Sequence, residues 1–111
     1  MRLFGVCLFV AGAMTAGAGA HAQGTLDSMR NAQQLADVLG SEAACGLTYD
    51  QEAISAYIDK TVPADDMSFT SNLNMFVSAT EFQLQDMSTS AKTAHCTQVR
   101  RVAKKFGFLK G

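Results

Sequence analysis

Residues 65–86 read Asp65-Asp66-Met67-Ser68-Phe69-Thr70-Ser71-Asn72-Leu73-Asn74-Met75-Phe76-Val77-Ser78-Ala79-Thr80-Glu81-Phe82-Gln83-Leu84-Gln85-Asp86. Within them Phe69, Leu73, Phe76, Val77, Thr80 and Leu84 recur every three or four positions, the period of one helix face. No window of strict alternation competes with it. Asp65 or Asp66 stands where a carboxylate can accept from the free N–H groups of a first turn. This is the longest apolar stripe in the chain, so it predicts the central core helix and an all-α fold.

Three further segments carry the same period. Residues 26–39 place Leu26, Met29, Ala32, Leu35, Ala36 and Leu39 on one stripe, with Gly40 positioned to end it at C′. Thr48 and Gln51 have capping-box spacing, Ala53, Ile54, Tyr57 and Ile58 form an apolar face, and Pro63 closes that helix. In the last segment Ser88 or Ser90 is the cap, Cys96, Val99, Ala103 and Phe106 are the buried face, and Gly107 is the stop. Joined by short connections, these segments predict a small four-helix, bundle-like domain of antiparallel neighbours.

The opening of the chain belongs to something else. Met1-Arg2 is a positive start, residues 3–10 (LFGVCLFV) are an apolar run, and Ala20-His21-Ala22 is an A-x-A cleavage site. Residues 1–22 are thus expected to be a signal peptide and residues 23–111 a single helical domain in the periplasm. Cys7 lies within the apolar run and leaves with it. Cys45 and Cys96 remain, an even count in an oxidising compartment with one possible intramolecular pairing. Their wide spacing is that of a structural bridge rather than of a redox C-x-x-C pair.

Charge is divided along the chain. Between residues 23 and 90 ten acids face only Arg30 and Lys60, a net of −8, whereas the last 21 residues hold six cations and no acid. The bland account is that the basic helix folds back onto the acidic ones; the sharper one is that each part meets its own partner. Catalysis finds little support: His95 is the one histidine after residue 22, both thiols are committed to the bridge, and no G-x-S-x-G, H-E-x-x-H or phosphate-loop pattern occurs. A non-enzymatic protein is expected. The run Arg100-Arg101-Val102-Ala103-Lys104-Lys105 has the look of a nucleic-acid patch, but export removes nucleic acid as a partner, and one short cluster makes membrane contact the weaker reading.

The carboxylates are the more specific signal. Asp50 and Glu52 open the second helix and Asp65 and Asp66 precede the third, so four carboxylates would converge if those two helix starts were adjacent. Hard cations such as calcium or a lanthanide take several oxygen ligands, and with no linear calcium loop present the set would be assembled from separate segments or between two subunits. Acids in a first turn are also expected for capping and dipole reasons alone.

The stretches Glu42-Ala-Ala-Cys45-Gly-Leu-Thr-Tyr-Asp50, Ala64-Asp-Asp-Met-Ser-Phe69 and Ser90-Ala-Lys-Thr-Ala-His-Cys96, with Arg100-Arg101-Val102-Ala103, resemble a family of small exported alphaproteobacterial proteins. The resemblance spans nearly all of residues 23–111 and includes both cysteines. It is similar to the dimerising lanthanide-binding proteins of methylotrophs, which implies a lanthanide or calcium ion as cofactor and a metal-dependent homodimer. The expected function is an exported accessory protein that binds a hard metal ion through Asp50, Glu52, Asp65 and Asp66. The alternative is a periplasmic protein or envelope interaction module that uses the basic C-terminal helix.

Overall fold

The computed structural model describes residues 19–110, with side chains from residue 26 onward. Four helices follow in order, α1 (Gly19–Leu39), α2 (Gln51–Thr61), α3 (Phe69–Gln85) and α4 (Thr89–Lys105), and among the described residues there is no strand. The all-α, four-helix reading with one disulfide therefore holds. The expected signal peptide lies outside the described residues except for its last four positions, which open α1.

The central helix is α1, not α3. Ala32, Leu35, Ala36 and Val38 of α1 are all buried; α3 and α4 pack on α1, while α2 contributes the half-buried Ala53, Ile54, Tyr57 and Ile58 to the edge of the core. From α3 the core takes Phe69 and Leu73, and from α4 Val99 and Ala103. Leu26 and Met29, placed on the apolar stripe by their spacing, are largely exposed, and Val38 is buried in their place. The apolar spacing runs further toward the N-terminus than the burial does, because a periodic pattern does not say how far the neighbouring helices extend.

Chain direction alternates. Tyr49, just before α2, reaches Val38 while Val62, just after it, lies beside Asn31, so α2 runs against α1. Ser28 meets Asp66 and Asp37 meets Thr80, so α3 runs parallel to α1. Ser41 meets His95 and Gln34 shares a groove with Val102, so α4 is again antiparallel. Sequential neighbours are antiparallel as expected, yet the most extensive helix contact is the parallel one between α1 and α3.

Small residues explain that contact. Ala32, Ala36 and Gly40 are spaced four apart and lie on one ridge. Gly40 does not adopt the left-handed C′ conformation expected of it; its place against α3 is what needs glycine. A Cβ built there would stand 2.8 Å from Thr80 Cβ and 2.9 Å from the Ala36 carbonyl oxygen. Gly40→Ala is expected to push the helices apart and lower stability by about 1–3 kcal/mol, read by urea unfolding. An unchanged midpoint would show that α3 has room to move.

The caps differ in part from expectation. Asp50, rather than Thr48, caps α2, its Oδ1 accepting from the N–H groups of Glu52 and Ala53. The Gln51 side chain turns back to the Tyr49 carbonyl instead of completing a capping box. Ser88 caps α4 through the Ala91 N–H, as its sequence position indicated. At α4's other end Gly107 has φ 82°, the Gly107 N–H donates to the Lys104 carbonyl and the Phe108 N–H to the Ala103 carbonyl. This Schellman turn reverses the chain and drops Phe108 into the core, where it is fully buried.

Candidate functional site

The four carboxylates singled out as metal ligands fall at opposite ends of α2. Asp50 and Glu52 are at its first turn and Asp65 and Asp66 follow its last, so about 16 Å of helix separates the pairs. One of the four is already used as a cap, Asp50. Glu52 and Asp65 are exposed. Asp66 turns toward α1, where it accepts from the hydroxyls of Ser28 and Ser68, and these hydrogen bonds hold its carboxyl below the usual carboxylate range. It shares a cleft with Asp27, Ser28 and Asn31, not with Asp50 or Glu52. Among the described residues no three His, Cys, Asp or Glu side chains come together in a way that could hold a metal ion. The expected convergence of both helix starts thus does not occur within one chain, because α2 itself is the spacer between them.

His95, the one histidine after residue 22, has a definite place. Ser41, fully buried in the turn after α1, donates its hydroxyl hydrogen to the Asp37 carbonyl at 2.6 Å. Its single hydrogen being used, Ser41 Oγ accepts from His95 Nε2 at 2.8 Å. That polarity is opposite to a nucleophilic Ser–His pair, in which imidazole takes the serine proton. The pair instead ties α4 to the end of α1, one residue from the Cys45–Cys96 bridge, whose Cα atoms are 5.3 Å apart.

Tyr49 completes this end of the protein. Its hydroxyl donates to the Val38 carbonyl at 2.9 Å, and burial, reinforced by the negative charge of Glu42, pushes the phenol from 10.0 up to about 12. Because the folded state holds this proton more tightly than the unfolded one, the stabilisation is complete below pH 10 and fades between pH 10 and 12. Absorbance titration at alkaline pH is expected to show one phenol ionising near 12 in the folded protein and near 10 in denaturant. Tyr49→Phe should abolish that late transition.

Beyond the bridge, an open groove of about 350 Å³ lies between α1 and α4. Val38, Val99, Val102 and Phe106 form its apolar floor, and Gln34, Asp37, His95 and Gln98 its polar rim. On the far side of α4, away from Val99 and Ala103, Arg100, Arg101, Lys104 and Lys105 are exposed. Arg101 donates to Oε1 of Gln98, one turn earlier, at 3.4 Å. All four basic side chains are exposed. Helical periodicity decides this: once Val99 and Ala103 face inward, positions 100, 101, 104 and 105 must face outward or to the sides.

No helix among the described residues is long and apolar enough to cross a membrane. Compared with known protein families, with curated proteins and with solved structures, the chain gives no match.

Proposed function

We propose that the chain is an exported, non-enzymatic binding module of the periplasm that docks an acidic protein on its fourth helix. The observation that supports it is the outward placement of Arg100, Arg101, Lys104 and Lys105 on a helix that carries no acid. Like charges gathered on one exposed face repel one another and gain nothing from the core, whereas a complementary surface would be attracted to them and steered on approach. A lipid surface fits less well. A membrane-lying helix inserts its apolar face, and here that face is occupied by the core contacts of Val99 and Ala103.

The competing reading is a hard cation, lanthanide or calcium, held by Asp50, Glu52, Asp65 and Asp66. With the two pairs a helix length apart, it requires ligands from a second copy and hence a metal-dependent homodimer. One set of measurements separates the readings. The protein should bind poly-glutamate at low salt, release it at high salt, and lose roughly tenfold in affinity when Arg100, Arg101, Lys104 and Lys105 are all changed to Gln. Absence of poly-glutamate binding overturns the proposal, as does tighter binding to vesicles of anionic lipid. A melting midpoint that rises with one equivalent of a light lanthanide, together with sedimentation as a dimer, transfers the function to the metal.

A further inference from the structure

We infer that the Cys45–Cys96 bridge is a thiol-exchange site, opened at Cys96 by a short thiol-bearing peptide that carries a carboxylate at each end. Wide spacing marks the bridge as a staple, and its surroundings on α4 give it this second property. An open groove of about 310 Å³ runs along α4 and is lined by Thr89, Lys92, Thr93, Cys96, Thr97 and Arg100. Their spacing, i, i+3, i+4, i+7, i+8 and i+11, is that of one helix face. Lys92 and Arg100 stand four positions before and four after Cys96, and no acid is among the lining residues. Cys96 itself is half-buried. A cationic, partly exposed setting of this kind favours a thiolate over its thiol, and the thiolate is the attacking species. Neither Lys92 nor Cys96 belongs to the basic run proposed to dock an acidic protein.

The groove selects which sulfur is met. Cys96 lines it and Cys45 does not, so a thiolate seated there meets Cys96 and Cys45 is the leaving group. The incoming sulfur bonds to Cys96 Sγ, the Cys45–Cys96 bond breaks, and its electron pair leaves on Cys45 Sγ as a thiolate. No oxidant is consumed. Return attack by Cys45 on the mixed disulfide expels the ligand thiolate and restores the bridge.

Length and charge set the ligand. Lys92 and Arg100 are separated by about 12 Å along the helix axis with Cys96 midway. A tripeptide extends about 10 Å, so a thiol on its middle residue reaches Cys96 while its terminal carboxylates reach the two cations. The hydroxyls of Thr93 and Thr97 donate to the Thr89 and Thr93 carbonyls at 2.9 and 2.8 Å, which leaves their oxygen lone pairs to accept from peptide N–H groups. The volume is at the lower end of the range of small-ligand pockets, as a tripeptide requires.

The probe is reduced glutathione, compared with its diester and with cysteamine at equal thiolate concentration, acting on the oxidised protein. Bridge opening is followed by intact mass after acid quenching, and the first adduct is located by peptide mapping. Glutathione should open the bridge roughly tenfold or more faster than either control at low salt, with the rates converging at high salt. The adduct should lie on Cys96. Lys92→Gln with Arg100→Gln should remove the preference while the rate with the diester is retained. Should that variant unfold, the salt dependence and the adduct position in the unmodified protein decide the outcome. An adduct on Cys45 overturns the groove as the point of entry. Equal rates with glutathione and its diester overturn the selection by charge. A bridge that none of the three thiols opens below the melting transition overturns the inference outright.

Discussion

Cys45→Ser with Cys96→Ser is expected to lower the stability of the domain by about 4 kcal/mol. The bridge spans 51 positions of sequence and encloses α2 and α3, and on the chain-entropy account a loop of this size restricts the unfolded chain by roughly that amount. For a domain of this size the melting midpoint should fall by roughly 15–30 °C, and reductant should reproduce the effect in the unmodified protein. Position adds to length. Few close backbone contacts join α1 to α4, so the bridge and the neighbouring Ser41–His95 hydrogen bond hold the ends that define the groove. A fall of only a few degrees would show that packing alone keeps α4 in place. Two alkylatable thiols in the exported protein without reductant would remove the bridge altogether.

Phe108→Ala is expected to be as damaging, about 3–5 kcal/mol by urea unfolding. Phe108 is fully buried and is the largest such side chain described. Its ring lies 5.9 Å from Tyr49, 5.6 Å from Tyr57 and 5.6 Å from Phe106, so it joins the start of α2, the middle of α2 and the end of α4. Its carbonyl also accepts from the Asp50 N–H at 2.9 Å, beside the cap of α2. Total stabilities of small domains are about 5–15 kcal/mol, so this one residue carries a large share. Phe106→Ala should lose less, about 1–2 kcal/mol, because its ring is half-buried and stacks on Tyr57 at 4.8 Å near the surface. Equal losses at the two positions would mean that Phe106 shares the core after all.

The contrast between these phenylalanines shows how far the sequence was legible. Phe106 continues the three-and-four spacing of Val99 and Ala103 and was therefore expected to be the buried anchor. Phe108 breaks that spacing. The signal that could have found it was present in Gly107: a glycine at C′ commonly goes with an apolar residue one position later that packs back on the helix. Gly40 misled in the opposite sense, since glycine after an apolar stripe fits a helix stop as well as it fits a close helix contact, and only the 2.8 Å approach to Thr80 distinguishes them.

For the site the boundary is sharper. Asp50, Glu52, Asp65 and Asp66 are visible as acids near helix starts, but linear order cannot say whether two starts are adjacent. The structure places an intact α2 between them and turns Asp66 toward Ser28. The α1–α4 groove is likewise absent from any local pattern, because its two walls are contributed by residues about 60 positions apart and its opening lies between two helices.

By itself the sequence determined the helical class, the single possible disulfide, a serine cap of α4 at Ser88 or Ser90, the Gly107 stop and the outward direction of the basic residues on α4. Each follows from interactions within a few residues, or from the count of two cysteines. Tertiary structure alone decided that α1 is the centre, that Phe108 rather than Phe106 is the anchor, and that the four carboxylates do not converge. Those outcomes depend on distances between segments far apart in the chain, where the close approach of Gly40 to Thr80 and the full burial of Ala32 and Ala36 outweigh the length of any one apolar stripe.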